Sequence, residues 1–125
     1  MTKIRVVHVI TKLELGGAQN VALYTVAHLD PRLFEVYLCC GRGGIQDDRA
    51  RELARAGSVR VRFVSHLIRR IRPWTDWMGF LELLSVFRSI RPDVVHTHSS
   101  KAGVLGRCAA AACRLLTGRP HVIVH

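Results

Sequence analysis

Residues 4–19 read IRVVHVITKLELGGAQ, and this stretch decides the fold. Its first part, Ile4 to Ile10, is short, apolar and β-branched, the pattern of a strand covered on both faces. A polar connection, Thr11 to Gly16, follows. Gly16-Gly17 then turns the chain into Ala18-Gln19-Asn20-Val21-Ala22, where apolar residues recur at helical spacing. A buried strand feeding a glycine-hinged helix presents free backbone N–H groups at the positive end of the helix dipole. Such a junction suits a phosphate or another anion. The two glycines let a ligand approach the backbone with no Cβ in the way.

The same alternation runs outward through the chain. Helices are expected over Gly17–Leu29, Asp48–Ala56, Trp74–Ile90 and Lys101–Leu116. Strands are expected over Phe34–Cys40, Val59–Val64 and Val94–Thr97, with a fifth beginning at His121. Ala18, Val21, Ala22, Thr25, Val26 and Leu29 form the apolar face of the first helix. Leu53, Ala54 and Ala56 form that of the second, and Trp77, Phe80, Leu81, Leu84 and Phe87 that of the third. On the fourth, Arg107 and Arg114 mark the wet side, and Ser99 or Ser100 caps its start. The third strand, VRVRFV, alternates with period two, as a strand with one wetter face near an edge does.

Strands alternating with helices predict an α/β fold: a Rossmann-like open parallel sheet, strand order 3-2-1-4-5, with helices on both faces. Strands one and four then meet at the topological switch point. The Gly16-Gly17 loop faces His98-Ser99-Ser100-Lys101 across the crevice where open α/β sheets bind ligands.

The 125 residues make one domain, with 49% apolar residues and a charged fraction that argues against disorder. The formal charge is +10, and all but three of the 19 basic residues are Arg, a surface that attracts polyanions in general. No nucleic-acid motif accompanies it, so no nucleic-acid partner is expected. The first apolar run is too short for a signal peptide, and no stretch reaches a spanning length. A cytoplasmic protein is expected, able to rest on the inner face of a membrane. Cys39, Cys40, Cys108 and Cys113 fit no zinc or redox spacing and read as buried thiols. No metal site is expected, and no cofactor.

Two segments carry candidate chemistry beside the glycines. In His96-Thr97-His98-Ser99-Ser100-Lys101, alternation puts both histidines on one side. His96 lies within the strand, where a structural role is expected. His98 sits at the mouth, where an imidazole can donate to a sugar hydroxyl or a developing charge. In SHLIRRIRPWTDW, Arg69, Arg70, Arg72, Trp74 and Trp77 interleave charge with large apolar groups, which suits an anionic membrane surface or a solvated loop over the core. Against a nicotinamide site stand the lack of G-x-G-x-x-G and of an acidic residue ending the second strand; no G-K-[ST] marks a P-loop.

Taken together, VVHVIT…LELGGAQ, RPDVVHTHSSKAGVLGR and RPHVIVH resemble the N-terminal domain of family 4 glycosyltransferases, two-domain enzymes of the GT-B type. The resemblance covers essentially the whole chain. It implies that the chain is the acceptor-binding half of an enzyme that transfers a sugar from a nucleotide-sugar donor to a hydroxyl acceptor, lipid-linked or part of a surface polysaccharide. It implies retention of anomeric configuration, a nucleotide-sugar co-substrate and no essential metal. By resemblance, Gly16 and Gly17 approach the donor diphosphate, His98 contacts the reacting sugars as the catalytic residue, and Ser99, Ser100 and Lys101 line the same cleft. The donor-binding C-terminal domain, with its paired glutamates and basic diphosphate ligands, is absent from residues 1–125. The expectation is therefore a fragment, a truncated reading frame or one half of a split enzyme, inactive alone, with strand Val122–Val124 left exposed. Two rival readings remain at this stage: a non-catalytic membrane-docking subunit, and a free-standing nucleotide-binding α/β domain.

Overall fold

The computed structural model describes residues 2–14 and 16–125. Leu15 and the side chain of Ala18, which the sequence places in the first connection and on the first helix's apolar face, lie outside the described residues.

Strands β1 (Ile4–Lys12), β2 (Phe34–Gly41), β3 (Arg60–Phe63), β4 (Val94–Thr97) and β5 (Val122–Val124) alternate with helices α1 (Gly17–His28), α2 (Asp47–Arg55), α3 (Pro73–Ile90) and α4 (Ser100–Thr117). The sheet is parallel throughout, in the order β3-β2-β1-β4-β5. This is the expected Rossmann-like arrangement. Successive side chains of a strand point to opposite faces, which gives the molecule two cores. Val7, Val9, Cys39 and Val95 pack with Leu83, Phe87, Ala109 and Cys113 under α3 and α4. Ile10, Leu38 and Cys40 pack with Ala22, Leu23 and Val26 under α1 and α2.

Several local expectations shift. The first strand runs two residues beyond Ile10, because Lys12 still pairs with Gly41 across a register shift. Thr11 and Lys12 therefore belong to the strand end, not to a loop. On α1 the buried residues are Ala22, Leu23 and Val26, whereas Val21 faces solvent. On α2 the inward residues are Asp47 and Ala50, and Ala54 and Ala56 are exposed. Asp47 is buried because its Oδ2 accepts the N–H groups of Gly43 and Gly44. On α3 the buried stripe is Gly79, Leu83, Phe87 and Ile90, with Phe80 and Leu84 partly covered; Trp77 and Leu81 lie outside it. Cys39, Cys40 and Cys113 are buried as expected, and burial pushes the Cys39 thiol up to about 12; Cys108 is exposed, contrary to expectation, on the wet side of α4. The third strand is an edge strand as read, and β5 closes the opposite edge with Val122 and Val124 exposed.

Candidate functional site

The C-terminal ends of β1 and β4 lie side by side, with His8 in register opposite His96 and Val9 opposite Thr97. One bond beyond the ladder, the His98 N–H donates to the Val9 carbonyl at 2.8 Å, which pins the β4–α4 turn to β1. The turn itself is strained: Ser99 has φ 105°, a region that side-chain-bearing residues rarely occupy. That backbone twist directs the Ser99 hydroxyl onto Thr11, Oγ to Oγ1 2.8 Å, with the Thr11 N–H also donating to it at 3.3 Å. Ser99 holds the N-cap position of α4 without capping it. The cap comes from β1, whose Thr11 Oγ1 accepts the Ala102 N–H at 3.1 Å. The first amides of α4, at Ser100 and Lys101, are left facing the crevice without intrahelical partners.

Three imidazoles stand on one face of the sheet at this point. His8 Nδ1 and His98 Nε2 are 2.9 Å apart, and the His96 and His98 rings stack with centroids 4.1 Å apart. Burial, and to a lesser degree the neighbouring imidazoles, lower His8 to about 3 and His98 to about 4; burial also lowers His96. At neutral pH all three rings are uncharged, so one proton lies between His8 and His98. His8 Nε2 is buried and has no partner among the described residues. If His98 donated, His8 would carry its own proton on that atom as an orphaned buried N–H. If His8 donates from Nδ1, Nε2 is an unprotonated acceptor, the less costly case. The hydrogen-bond network thus assigns His8 as donor and holds His98 as the Nδ1–H tautomer, with a proton to give on its other nitrogen. The nitrogens of His8, His96 and His98 lie within 4.8 Å of one another, close enough for a metal ion. The His98 ring, however, stacks on both others, at 21° to His8 and 28° to His96, while His8 and His96 are tilted by 42°, which suits a stack centred on His98 better than three lone pairs converging on one ion.

In front of these strand ends opens a cleft of about 570 Å³, bounded by Thr11, Lys12 and Gln19 on one side and by Ser99, Ser100 and Lys101 on the other. Gly16 is the N-cap of α1, and an added Cβ would come within 2.9 Å of the Gln19 side chain; Gly17 opens the helix with nothing within 4 Å of a Cβ. The β3–α3 connection closes a third side through Arg69 and Ile71. Lys101 is tied down, paired with Asp76 of α3 and donating to the Arg70 carbonyl, with its side chain only 13% exposed. It therefore joins α4 to the base of α3 as well as lining the cleft. Ser99, Ser100 and Lys101 line this cleft together with Gln19 of α1, whereas His98, Gly16 and Gly17 are not among its lining residues. Of the basic, aromatic stretch only Arg69 lines this cleft; Arg70 and Arg72 line a neighbouring groove, and Trp74 and Trp77 are 75% and 52% exposed. No helix among the described residues is long and apolar enough to cross a membrane.

The model of Glycosyltransferase Family 4 matches residues 15–125. The chain belongs to that family. This glycosyltransferase family 4 chain is also 35% identical, over 122 residues, to the UDP-Gal:alpha-D-GlcNAc-diphosphoundecaprenol alpha-1,3-galactosyltransferase of Escherichia coli. The match takes in 98% of the family 4 chain and 29% of the length of that relative.

His8 and Thr11 escaped the sequence reading. In the sequence His8 reads as one residue of the apolar first strand, and Thr11 as the start of the connection after it. The available signal was period-two alternation: a strand-one histidine on the same face as His96 becomes its neighbour once strands one and four are adjacent.

Proposed function

We propose that this chain is the acceptor-binding half of a GT-B glycosyltransferase. The enzyme moves a sugar from a nucleotide-sugar donor, with retention, to a hydroxyl of a lipid-linked acceptor used in surface-polysaccharide synthesis. The observation that carries this reading is the adjacent ends of β1 and β4, where a neutral His98 hydrogen-bonded to His8 precedes the start of α4, and Ser99, Ser100 and Lys101 line a cleft with Gln19 of α1. His98 donates to a sugar hydroxyl or to charge developing near the reacting carbon. The Gly16 and Gly17 amides meet the donor diphosphate. Ser100 and the α4 amides line the sugar site, while Ser99 acts through its bond to Thr11 and Lys101 through its pair with Asp76.

A donor-binding domain, on the same or a separate chain, supplies the electrostatic stabilisation of the leaving diphosphate. The exposed Trp74 and Trp77 with Arg69, Arg70 and Arg72 favour contact with the inner, anionic face of a membrane, where a lipid-linked acceptor resides. The lipid-linked acceptor named for the Escherichia coli relative supports the same substrate class. Neither a docking subunit without catalysis nor a free-standing nucleotide-binding domain has an observation of its own; β2 ends in Gly41, with no acidic group for a ribose.

The test is a transfer assay with this chain and a co-expressed family donor domain, offering UDP-sugars and either a lipid-linked GlcNAc-diphosphate or the free sugar. Product on the lipid-linked acceptor only when both halves are present supports the reading. Equal transfer to free sugar argues against a lipid-linked substrate, and no transfer to either acceptor argues against the enzyme half.

A further inference from the structure

Beside the main cleft, and sharing Lys12 and Arg69 with it, lies a second groove of about 330 Å³. Its lining holds five cationic side chains, Lys12, Arg42, Arg69, Arg70 and Arg72, and no acidic one. Three separate segments bring them together: the end of β1, the residue after β2, and the β3–α3 connection. Gly41 makes the convergence possible. A Cβ there would strike the backbone carbonyls of Leu67 and Thr11, so only glycine lets the β3–α3 connection lie directly across the ends of β1 and β2. Glu14 pairs with Lys12 of the groove itself at 3.3 Å, which leaves the four arginines to carry its excess charge, and Asp76 pairs with Lys101. Like charges gathered in one concavity repel one another and focus a positive potential into it, an arrangement that an incoming polyanion relieves.

We propose that this groove binds the diphosphate of the lipid-linked acceptor. The proposal rests on the reading of the chain as an acceptor-binding domain and names the subsite for the acceptor's charged linker. Two features set this diphosphate apart from that of the nucleotide donor. The groove lies on the far side of Lys12 from the α4 start, on the flank of the β3–α3 connection. Ile71 and Trp74, 87% and 75% exposed, flank Arg72, so a chain leaving the groove meets apolar surface at once. A sugar diphosphate linked to a lipid has this order of parts: sugar in the cleft, diphosphate across Lys12, Arg69 and Arg70, lipid over the exposed Trp74 beyond Arg72. Arg matches phosphate oxygens in a bidentate fork, and the groove offers four such side chains.

The experiment is binding to the full chain, read by amide chemical shifts and calorimetry, with inorganic diphosphate, orthophosphate and UDP as soluble probes. Nanodiscs then carry either phosphatidylglycerol or an equal charge of polyprenyl-diphosphate sugar in neutral lipid. Diphosphate is expected to bind more tightly than orthophosphate and to shift the amides of Arg42, Arg69 and Arg70. Arg42→Gln and Arg70→Gln each weaken it about tenfold, the loss of one charge-assisted contact. Arg88→Gln, which removes the same charge from an exposed position on α3, leaves it unchanged, and Arg70→Lys restores part of the affinity. Discs with the diphosphate lipid bind more tightly than phosphatidylglycerol discs, and the difference disappears in Arg42→Gln. Equal binding to both discs makes the patch a general membrane contact and overturns the proposal. So does stronger competition by UDP than by the polyprenyl-diphosphate sugar, or a diphosphate footprint confined to Gly16–Gly17. None of these readouts needs sugar transfer, so failure of the subsite and failure of the enzymatic reading are separable.

Discussion

The imidazole cluster makes this fold acid-labile, and His8, the most deeply buried of the three rings, is its cleanest probe. Buried against β4 and the His98 ring, His8 is held neutral, with its titration lowered to about 3 against an unfolded value near 6.5. The unfolded chain therefore binds more protons than the folded one throughout that interval. Stability is fully present above pH 6.5 and is lost as pH falls toward 3. At pH 5, where the unfolded histidine is almost fully charged and the folded one is not, the loss from this ring alone is about 2 kcal/mol. The carboxylates remain largely ionised in both states down to that pH, so they do not mask it. In a domain of this size the loss corresponds to a fall of roughly 5–10 °C in Tm. The assay is urea unfolding at pH 7 and pH 5 for the wild-type chain and for His8→Leu, which fills the site with an apolar group and removes the orphaned Nε2. The variant is expected to lose about 2 kcal/mol less than wild type between the two pH values. Identical pH dependence in both proteins would refute the claim that His8 is buried neutral.

Three further outcomes follow from the strand ends. Gly41→Ala forces backbone apart on two sides, with no flexible side chain to yield, and should cost about 2–3 kcal/mol in chemical unfolding while weakening anion binding at the basic groove. Thr11→Val removes the cap of α4 and the partner of Ser99 together and should cost about 1–2 kcal/mol; unchanged stability would mean that water replaces the cap. Nitrogen-15 spectra at pH 7 should show His98 protonated on Nδ1 and His8 on Nδ1 as well, and in His8→Leu the His98 ring should revert to a mixture of tautomers.

The elements were legible because each carries its own local signature. Ile4–Ile10 is β-branched and continuous, the glycines and Asp30-Pro31 punctuate α1, and Gly118 ends α4 with φ 79°. Alternation of strands and helices then left few topologies, and the observed order is the expected one. Details that depend on partners distant in sequence were not legible. Thr11 caps a helix that begins 89 positions later, and Lys101 pairs with Asp76 on another helix. No periodicity encodes either contact. The outward turn of Trp77 and Leu81 was missed for a related reason. Their spacing fits a helical stripe, yet α3 packs on α4 through Leu83 and Phe87, leaving the aromatic turn beside the basic connection. The basic residues read as a surface stretch because Gly41, which folds that stretch over the strand ends, lies more than twenty residues before it.

The most direct test of the account is the effect of His98→Ala on sugar transfer by this chain together with a family 4 donor-binding domain, measured as kcat and KM for a lipid-linked acceptor. The variant should fold, since His98 is only half-buried and its backbone bond to Val9 does not use the side chain. The account predicts a fall in kcat of about 10²-fold or more, the scale of losing a positioned proton donor. Transfer by His98→Ala at the wild-type rate, with the fold intact, would contradict the placement of the reacting sugar between β1 and β4.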